Sequence, residues 1–138
     1  MHRVLIIEDD DYVLKMLEQT FVKAGYCVSL AVNGAVGIKL FEQHKKLNEP
    51  FQVVITDLIM PEVEGIETIT QLRRNHPEAQ VIAISGGGRN RPEDYLQLAG
   101  RLGAVRTFTK PVDRKALLHA VAELIGESHP EHPCSPTI

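Results

Sequence analysis

Five polar residues of types that can take part in phosphoryl transfer follow short apolar stretches of the chain. They are Glu8, Asp9, Asp57, Ser85 and Lys110. Three carboxylates crowded into one pocket would raise each other's pKa unless a cation lay among them. An all-oxygen set of ligands suits a hard cation, and Mg²⁺ typically keeps only a few carboxylates beside water and phosphate oxygens. These residue types therefore predict a magnesium site, provided that the fold brings them together.

Asp57 is the candidate nucleophile, because the β-branched run 51–55 before it is typical of a strand buried on both faces. In-line attack by this carboxylate would form an acyl phosphate. The cation and Lys110 would neutralise the phosphoryl oxygens, and the Ser85 hydroxyl would donate a hydrogen bond to one of them. The product would carry roughly one and a half to two additional negative charges beside the loops. The pattern thus predicts a residue whose phosphorylation changes the local charge.

Five strands alternating with five helices are expected to position these residues. Apolar runs predict strands at 3–7, 27–32, 51–55, 80–85 and 105–109. Apolar positions at helical spacing follow each run, with helices ending near residues 24, 46, 76, 102 and 125 and with Asp113 capping the last one. Short connections imply a parallel sheet with helices on both faces. The carboxyl ends of parallel strands share one edge, where open α/β sheets bind ligands, so the five residues should meet there.

The composition is that of one globular domain of 138 residues with a formal net charge of -3, which gives no general attraction to nucleic acid or to an anionic membrane. No stretch approaches the ~20 apolar residues that cross a bilayer, so we expect a cytoplasmic protein. Cys27 and Cys134 are too few for a disulfide framework and are expected to be free thiols in a reducing compartment. The six histidines lack metal-ligand spacing and are expected on the solvated surface.

The C-terminal residues 127–138 carry three prolines and no periodicity. They predict a disordered tail after a folded domain that spans residues 1–126. Because so few residues follow the last helix, we expect no DNA-binding or enzymatic output domain there. The glycine-rich stretch 86–92 is interpreted as a flexible loop, since a dinucleotide-binding fingerprint would follow the first strand and open a helix.

Four motifs in this order resemble the receiver domains of two-component response regulators. They are VLIIEDDD (4–11), VVITDLIMPEVEG (53–65), VIAISG (81–86) and FTKP (108–111). The resemblance implies a flavodoxin-like, doubly wound, five-stranded parallel sheet with three α/β/α layers. It also implies that a histidine kinase or a phosphotransfer protein donates the phosphoryl group in a Mg²⁺-dependent reaction.

The resemblance assigns a role to each matching position. It implies an acidic pair that binds Mg²⁺, a phosphorylated aspartate, a backbone carbonyl that completes the metal site, a switch hydroxyl, a switch aromatic and a phosphate-contacting lysine. The acidic pair is Glu8 and Asp9, and the phosphorylated aspartate is Asp57. The backbone carbonyl is that of Ile59, and the switch hydroxyl is that of Ser85. The switch aromatic is Phe108, and the phosphate-contacting lysine is Lys110.

Three features depart from the family's pattern. Glu8 stands where aspartate is commoner and would reach the same ion from further away. Ile59 is bulky and apolar, and we hypothesise that it hinders an attacking water and prolongs the phosphorylated state. The glycine-rich loop is slightly longer than usual for the family, so transmission through Ser85 is expected to differ in detail.

The leading hypothesis is a signalling switch that catalyses only its own phosphorylation and dephosphorylation. Phosphorylation would change the surface formed by the fourth helix, fifth strand and fifth helix, which would contact a downstream protein or a second copy of the chain. Two alternatives remain. One is a Mg²⁺-dependent phosphatase of the haloacid dehalogenase kind, which would require a second aspartate two residues after Asp57, where this chain has Ile59. The other is a receiver-like binding module that does not depend on phosphorylation, against which the intact acids and lysine argue.

Overall fold

Five parallel strands form a single sheet in the computed structural model, which describes residues 2–58, 64–86, 97 and 99–126. The strands are β1 (Arg3–Ile7), β2 (Cys27–Ala31), β3 (Val53–Asp57), β4 (Val81–Ser85) and β5 (Arg106–Thr109). Their order across the sheet is β2-β1-β3-β4-β5, and each neighbouring pair is parallel. The chain runs outward from β1 to β2 and then returns past β1 to β3. This reversal opens a crevice at the carboxyl ends of β1 and β3, the usual ligand site of such sheets.

Helices connect the strands and cover both faces of the sheet. They are α1 (Asp11–Lys23), α2 (Gly34–Lys46), α3 (Glu64–Asn75) and α5 (Arg114–Ile125), and the helical residues 97 and 99–102 are labelled α4. Side-chain oxygens of Asp10, Asn33 and Asp113 accept hydrogen bonds from backbone N–H groups in the first turns of α1, α2 and α5. These caps satisfy donors that a helix start leaves unpaired, and the Asp113 cap was predicted.

Two apolar clusters, one on each face of the sheet, make up the core. Alternation along β1 sends Leu5 and Ile7 to one face, where they pack with residues of α2 and α3, and sends Val4 and Ile6 to the other, where they pack with α1 and α5. Strands β1 and β3, whose apolar runs 4–7 and 53–55 are buried, therefore lie between two helical layers. The predicted flavodoxin-like three-layer fold is confirmed.

The observed strand limits differ slightly from the predicted ones. Strand β3 begins and ends two residues later than expected, so that Asp57 is its last residue and pairs with Ile84 of β4. The ladder continues one step further, since the N–H of Leu58 donates to the carbonyl oxygen of Ile84 at 2.8 Å. Hydropathy alone placed the end of β3 where the apolar run stops, whereas pairing with β4 decides it.

The expectation of free thiols is wrong for Cys27, which forms a disulfide in the structure. The only other cysteine of the sequence, Cys134, lies outside the described residues. The expectation rested on the number of cysteines and on the assumed compartment. Pairing depends instead on the distance between two Cα atoms in the fold, which sequence spacing does not reveal.

The expectation of solvated histidines is wrong for His76, which is only 9% exposed. Its ring lies 4.9 Å from that of Phe41, and its Nδ1 lies 3.0 Å from Nζ of Lys45. His44 packs in a similar way, with its ring 4.6 Å from that of Phe51. The aromatic side chains of α2 and of the segment before β3 thus create an environment for imidazole rings that residue spacing does not reveal.

Among the described helices, none is long and apolar enough to cross a bilayer.

Candidate functional site

The ends of four strands place the candidate residues at one edge of the sheet. Glu8 follows β1 and Lys110 follows β5, while Asp57 and Ser85 are the last residues of β3 and β4. Backbone hydrogen bonds extend beyond these ends, from the N–H of Glu8 to Ala31 at 3.0 Å and from the N–H of Lys110 to Ser85 at 2.8 Å. The sheet ladder therefore holds the backbone of these residues, and rigid support of this kind keeps a site in a defined geometry.

Three carboxylates meet at this edge. Glu8, Asp9 and Asp57 each offer an oxygen atom within 4.8 Å of the oxygens offered by the other two. Oxygens that ligate one Mg²⁺ at about 2.1 Å lie at most about 4.2 Å apart, so only a small contraction would be needed. Glu8 and Asp57 are buried at 1% and 3% exposure, whereas Asp9 is exposed and leaves the cluster open to solvent. The all-oxygen set fits a hard divalent cation.

The carboxylates destabilise one another's charged forms. Burial, followed by hydrogen bonding to Asp57, raises the pKa of Glu8, although the ammonium of Lys110 opposes this change. Burial and the neighbouring Glu8 likewise raise the pKa of Asp9. Positive charge within the cluster would stabilise the ionised carboxylates, which is the electrostatic condition for binding a cation.

Lys110 supplies one positive charge to this cluster. Its Nζ lies 2.9 Å from Oε1 of Glu8 and 3.2 Å from Oδ2 of Asp57. Burial alone would lower the pKa of Lys110, but the hydrogen bond to Glu8 and the charges of Asp57 and Glu8 together outweigh it, so that the pKa is raised. Lys110 therefore stays protonated at neutral pH, and its ammonium is positioned beside the carboxylate that would carry a phosphoryl group.

Ser85 contributes a buried hydroxyl at the end of β4. Its side chain is fully buried, and among the described residues Oγ has no hydrogen-bond partner. A buried polar atom without a partner is uncommon and calls for an explanation. A phosphoryl oxygen carried by the neighbouring strand β3 would provide the missing acceptor.

Two glycines, Gly65 and Gly86, allow close approach around the site. A Cβ atom at Gly65 would lie 2.3 Å from the carbonyl oxygen of Asp57. A Cβ atom at Gly86 would lie 2.7 Å from Cβ of Lys110. Both contacts are far too short for a side chain, so glycine at these positions lets α3 start against β3 and lets the chain after β4 pass Lys110. For Gly86, its place directly after Ser85 was the available sign in the sequence.

The remaining predicted site residues are placed only in part. Phe108 is half-buried and packs against the cluster formed with α1 and α5, and its backbone pairs with Ile84 next to Ser85. Ile59 and most of the glycine-rich loop lie outside the described residues. The predictions for the Ile59 carbonyl and for the loop therefore stay predictions.

The chain matches the family model of the response regulator receiver domain over residues 4–122. It belongs to this family. It is 31% identical to the chemotaxis protein CheY of Treponema pallidum over 125 residues, which is 90% of this chain and 83% of that protein. It is 30% identical to the transcriptional regulatory protein GlrR of Escherichia coli over 92% of this chain, but spans only 27% of GlrR.

Solved receiver domains share the fold of this chain. A receiver domain from Clostridium thermocellum superposes with a TM-score of 0.80 at 26% identity, covering 91% of this chain and 94% of that one. The CheX–CheY–BeF3–Mg complex from Borrelia burgdorferi matches with a TM-score of 0.78 at 26% identity, covering 91% and 90%. The receiver domain described here is thus a phosphorylation-activated signalling switch, and neither the phosphatase nor the phosphorylation-independent module is favoured.

Proposed function

We propose that Asp57 accepts a phosphoryl group from a phosphohistidine of a histidine kinase or a phosphotransfer protein, and that this modification changes a protein-binding surface. The observation that carries the proposal is the convergence of two buried carboxylates, Glu8 and Asp57, on the ammonium of Lys110 at the carboxyl edge of the sheet. The nucleophile and its counter-charge lie within hydrogen-bond distance of each other there, and three carboxylates offer metal-ligand oxygens within 4.8 Å of one another.

Glu8, Asp9 and Asp57, together with the backbone carbonyl of Ile59, would hold the Mg²⁺ ion. The ion would neutralise charge on the phosphoryl oxygens during transfer. This assignment is supported by the mutual distances of the three carboxylates and by the raised pKa values of Glu8 and Asp9. Glycine at position 65 keeps the backbone around Asp57 free of side-chain obstruction.

Phosphoryl transfer makes one bond and breaks one bond. An Asp57 carboxylate oxygen attacks phosphorus, the P–N bond to the donor imidazole breaks, and the imidazole nitrogen keeps the electron pair. Lys110 neutralises charge on the transferred group, and the Ser85 hydroxyl donates a hydrogen bond to one of its oxygens. Hydrolysis of the acyl phosphate by water returns the Asp57 carboxylate and inorganic phosphate, so the protein acts only on its own modification.

The change at Ser85 would reach the protein surface through β5. Ser85 pairs with Thr109, and Ile84 pairs with Phe108, so a movement of the β4 end displaces the β5 backbone beside the switch aromatic. Strand β5 is at the edge of the sheet, and three of its four residues are exposed. The α4–β5–α5 face is therefore the surface proposed to bind a downstream protein or a second copy of the chain, without direct contact to nucleic acid or membrane. Phosphorylation-dependent dimerisation would be visible by light scattering.

The proposed compartment is the cytoplasm, where the phosphodonor proteins of this family act. In a reducing cytoplasm the Cys27 disulfide would be open to reduction. Alkylation of intact cells before lysis, followed by mass measurement, reports the state of this thiol directly. The proposed folded domain spans residues 1–126, and under reducing conditions, which open the Cys27 disulfide, removal of residues 127–138 should leave cooperative unfolding unchanged.

Intact-mass measurement tests the phosphoacceptor assignment. Acetyl phosphate or phosphoramidate with Mg²⁺ should add one phosphoryl group to the protein, and chelation of the metal should suppress this addition. The Asp57→Asn variant should gain none. An adduct of the same size on Asp57→Asn would show that the acceptor has been assigned wrongly. Turnover of a small phosphomonoester by the unmodified protein would instead favour the phosphatase alternative.

A further inference from the structure

The Glu8 carboxylate is engaged on both of its oxygens. Oε1 lies 2.9 Å from Nζ of Lys110, and Oε2 accepts a hydrogen bond from the N–H of Asp10 at 3.2 Å. Only 2% of the Glu8 side chain and 23% of the Lys110 side chain are exposed. Hydrogen bonds between charged groups are stronger than neutral ones, and exclusion of water strengthens them further. A divalent ion that binds an oxygen of Glu8 must therefore displace a strong contact that this oxygen already makes.

The same ammonium lies 3.2 Å from Oδ2 of Asp57. Lys110 thus contacts two of the three carboxylates that make up the acidic cluster, and its positive charge lies beside oxygens that a divalent ion would take as ligands. Two cations close together in a buried environment repel each other strongly. Binding of the ion therefore requires Lys110 to move away from at least one carboxylate.

We propose that Lys110 and Mg²⁺ compete for the Glu8 carboxylate, so that the Glu8–Lys110 ion pair sets the affinity of the acidic cluster for the divalent ion. In this arrangement Lys110 keeps its contact with Asp57, the residue to be phosphorylated, and releases Glu8 when the ion is bound. The inference deepens the proposed function, because it rests on the acidic cluster being the site of the ion.

The length of the Glu8 side chain is what makes this ion pair possible. An aspartate at position 8 would withdraw the carboxylate by about one C–C bond length, ~1.5 Å, and would leave the Lys110 ammonium at roughly 4 Å or more. A charge-assisted hydrogen bond is lost at that distance, since such bonds measure about 2.7 to 2.9 Å. Aspartate would still present a carboxylate to an ion beside Asp9. Glu8 is therefore a residue that tunes metal affinity as well as a ligand.

Titration of the full chain with Mg²⁺ alone, followed by calorimetry, tests the competition. Lys110→Gln should tighten Mg²⁺ binding by about tenfold or more, since a net hydrogen bond to a charged group contributes free energy of that size. Glu8→Asp should also tighten binding, because it removes the same contact while keeping a carboxylate. The matched control is Lys45→Gln, which removes a lysine paired with Glu78 outside the acidic cluster and should leave the affinity unchanged.

The double variant separates competition from two independent effects. If Lys110 acts through Glu8, then Lys110→Gln should tighten binding less in the Glu8→Asp background than in the wild-type background. If the gain in Mg²⁺ affinity of the double variant equals the product of the gains of the two single variants, the inference is wrong. It is also wrong if the Lys110→Gln variant binds Mg²⁺ no more tightly than the wild type.

A measurement on the unaltered protein covers the case in which a variant fails to fold. Mg²⁺ should shift the ¹⁵N resonance of the Lys110 ammonium and speed its hydrogen exchange, because release from Glu8 exposes it to water. A Lys110 resonance that is unaffected by saturating Mg²⁺ would contradict the inference. Phosphorylation of the wild type by acetyl phosphate is scored separately. If the protein is phosphorylated but Lys110 and Mg²⁺ do not compete for Glu8, only this inference is wrong. If they compete but the protein is not phosphorylated, only the proposed function is wrong.

Discussion

The substitution Gly65→Ala should damage both stability and phosphorylation through a single steric conflict. The added Cβ would lie 2.3 Å from the carbonyl oxygen of Asp57 and 2.6 Å from Cα of Leu58, whereas an ordinary contact begins near 3.4 Å. Both obstructing atoms belong to the backbone, so no side-chain rotation relieves the overlap. The end of β3 and the start of α3 must separate by about 1 Å.

The expected loss of stability follows from this overlap. Inserting one carbon into a well-packed site typically costs ~1–3 kcal/mol, and the rigid backbone places Gly65→Ala in the upper half of that range. Alanine has a higher helix propensity than glycine by ~1 kcal/mol, which offsets part of the cost. The free energy of unfolding should therefore fall by about 1 to 2 kcal/mol. Urea unfolding followed by circular dichroism measures this difference, with the m-value expected to stay unchanged.

Gly100→Ala is the matched control. Gly100 is an exposed residue of α4, and a Cβ atom there meets nothing within 4 Å. The same chemical change should stabilise the protein by up to ~1 kcal/mol, because only the gain in helix propensity remains. Opposite signs for the two variants are the prediction, and equal effects would refute the steric argument.

The functional consequence of Gly65→Ala is separate from its effect on stability. A shift of about 1 Å in the Asp57 backbone would misplace the nucleophile, and displacements of this size cost on the order of 100-fold in rate. The rate of phosphorylation by acetyl phosphate should fall in Gly65→Ala at temperatures where the variant is fully folded. It should stay at the wild-type value in Gly100→Ala. A normal rate in folded Gly65→Ala would show that this glycine does not position Asp57.

Three further predictions concern other parts of the chain. Asp113→Ala should lower the free energy of unfolding by ~1 kcal/mol, because the N–H of Ala116 loses the cap of α5, and urea unfolding measures the loss. Cys27 should resist iodoacetamide in the denatured, unreduced protein and should react after reduction; labelling before reduction would contradict the disulfide. Ile59→Asn should shorten the lifetime of the phosphorylated state, as followed by loss of the phosphoryl adduct, if Ile59 hinders the attacking water; an unchanged lifetime would remove that hypothesis.

The edge of the sheet at which the site forms could be predicted because the chain marks it by simple hydropathy. The runs 4–7 and 53–55, shortly before Glu8 and Asp57, are apolar throughout, and such runs are typical of a parallel sheet covered on both faces. Once the strands are parallel, the residues that follow them must share one edge. This reasoning requires no knowledge of side-chain positions, which is why it succeeded for Lys110, the most distant of these residues along the chain.

Features that depend on distances between separate elements could not be predicted. The last residues of β3 are fixed by pairing with β4, although Thr56 and Asp57 are polar. Burial of His76 depends on the position of Phe41 in another helix, and the Cys27 disulfide depends on a partner that spacing cannot locate. The short contact at Gly65 is likewise a property of two packed backbones. In each case the deciding quantity is a distance in space.

Chemical mapping of the modified residue tests the central claim most directly. Borohydride reduces an acyl phosphate on aspartate to homoserine, and peptide mass spectrometry then locates the altered residue. After treatment with acetyl phosphate and Mg²⁺, the account predicts homoserine at position 57 alone, and none when the metal is chelated. Homoserine at position 9 or 10, with Asp57 unchanged, would contradict the account.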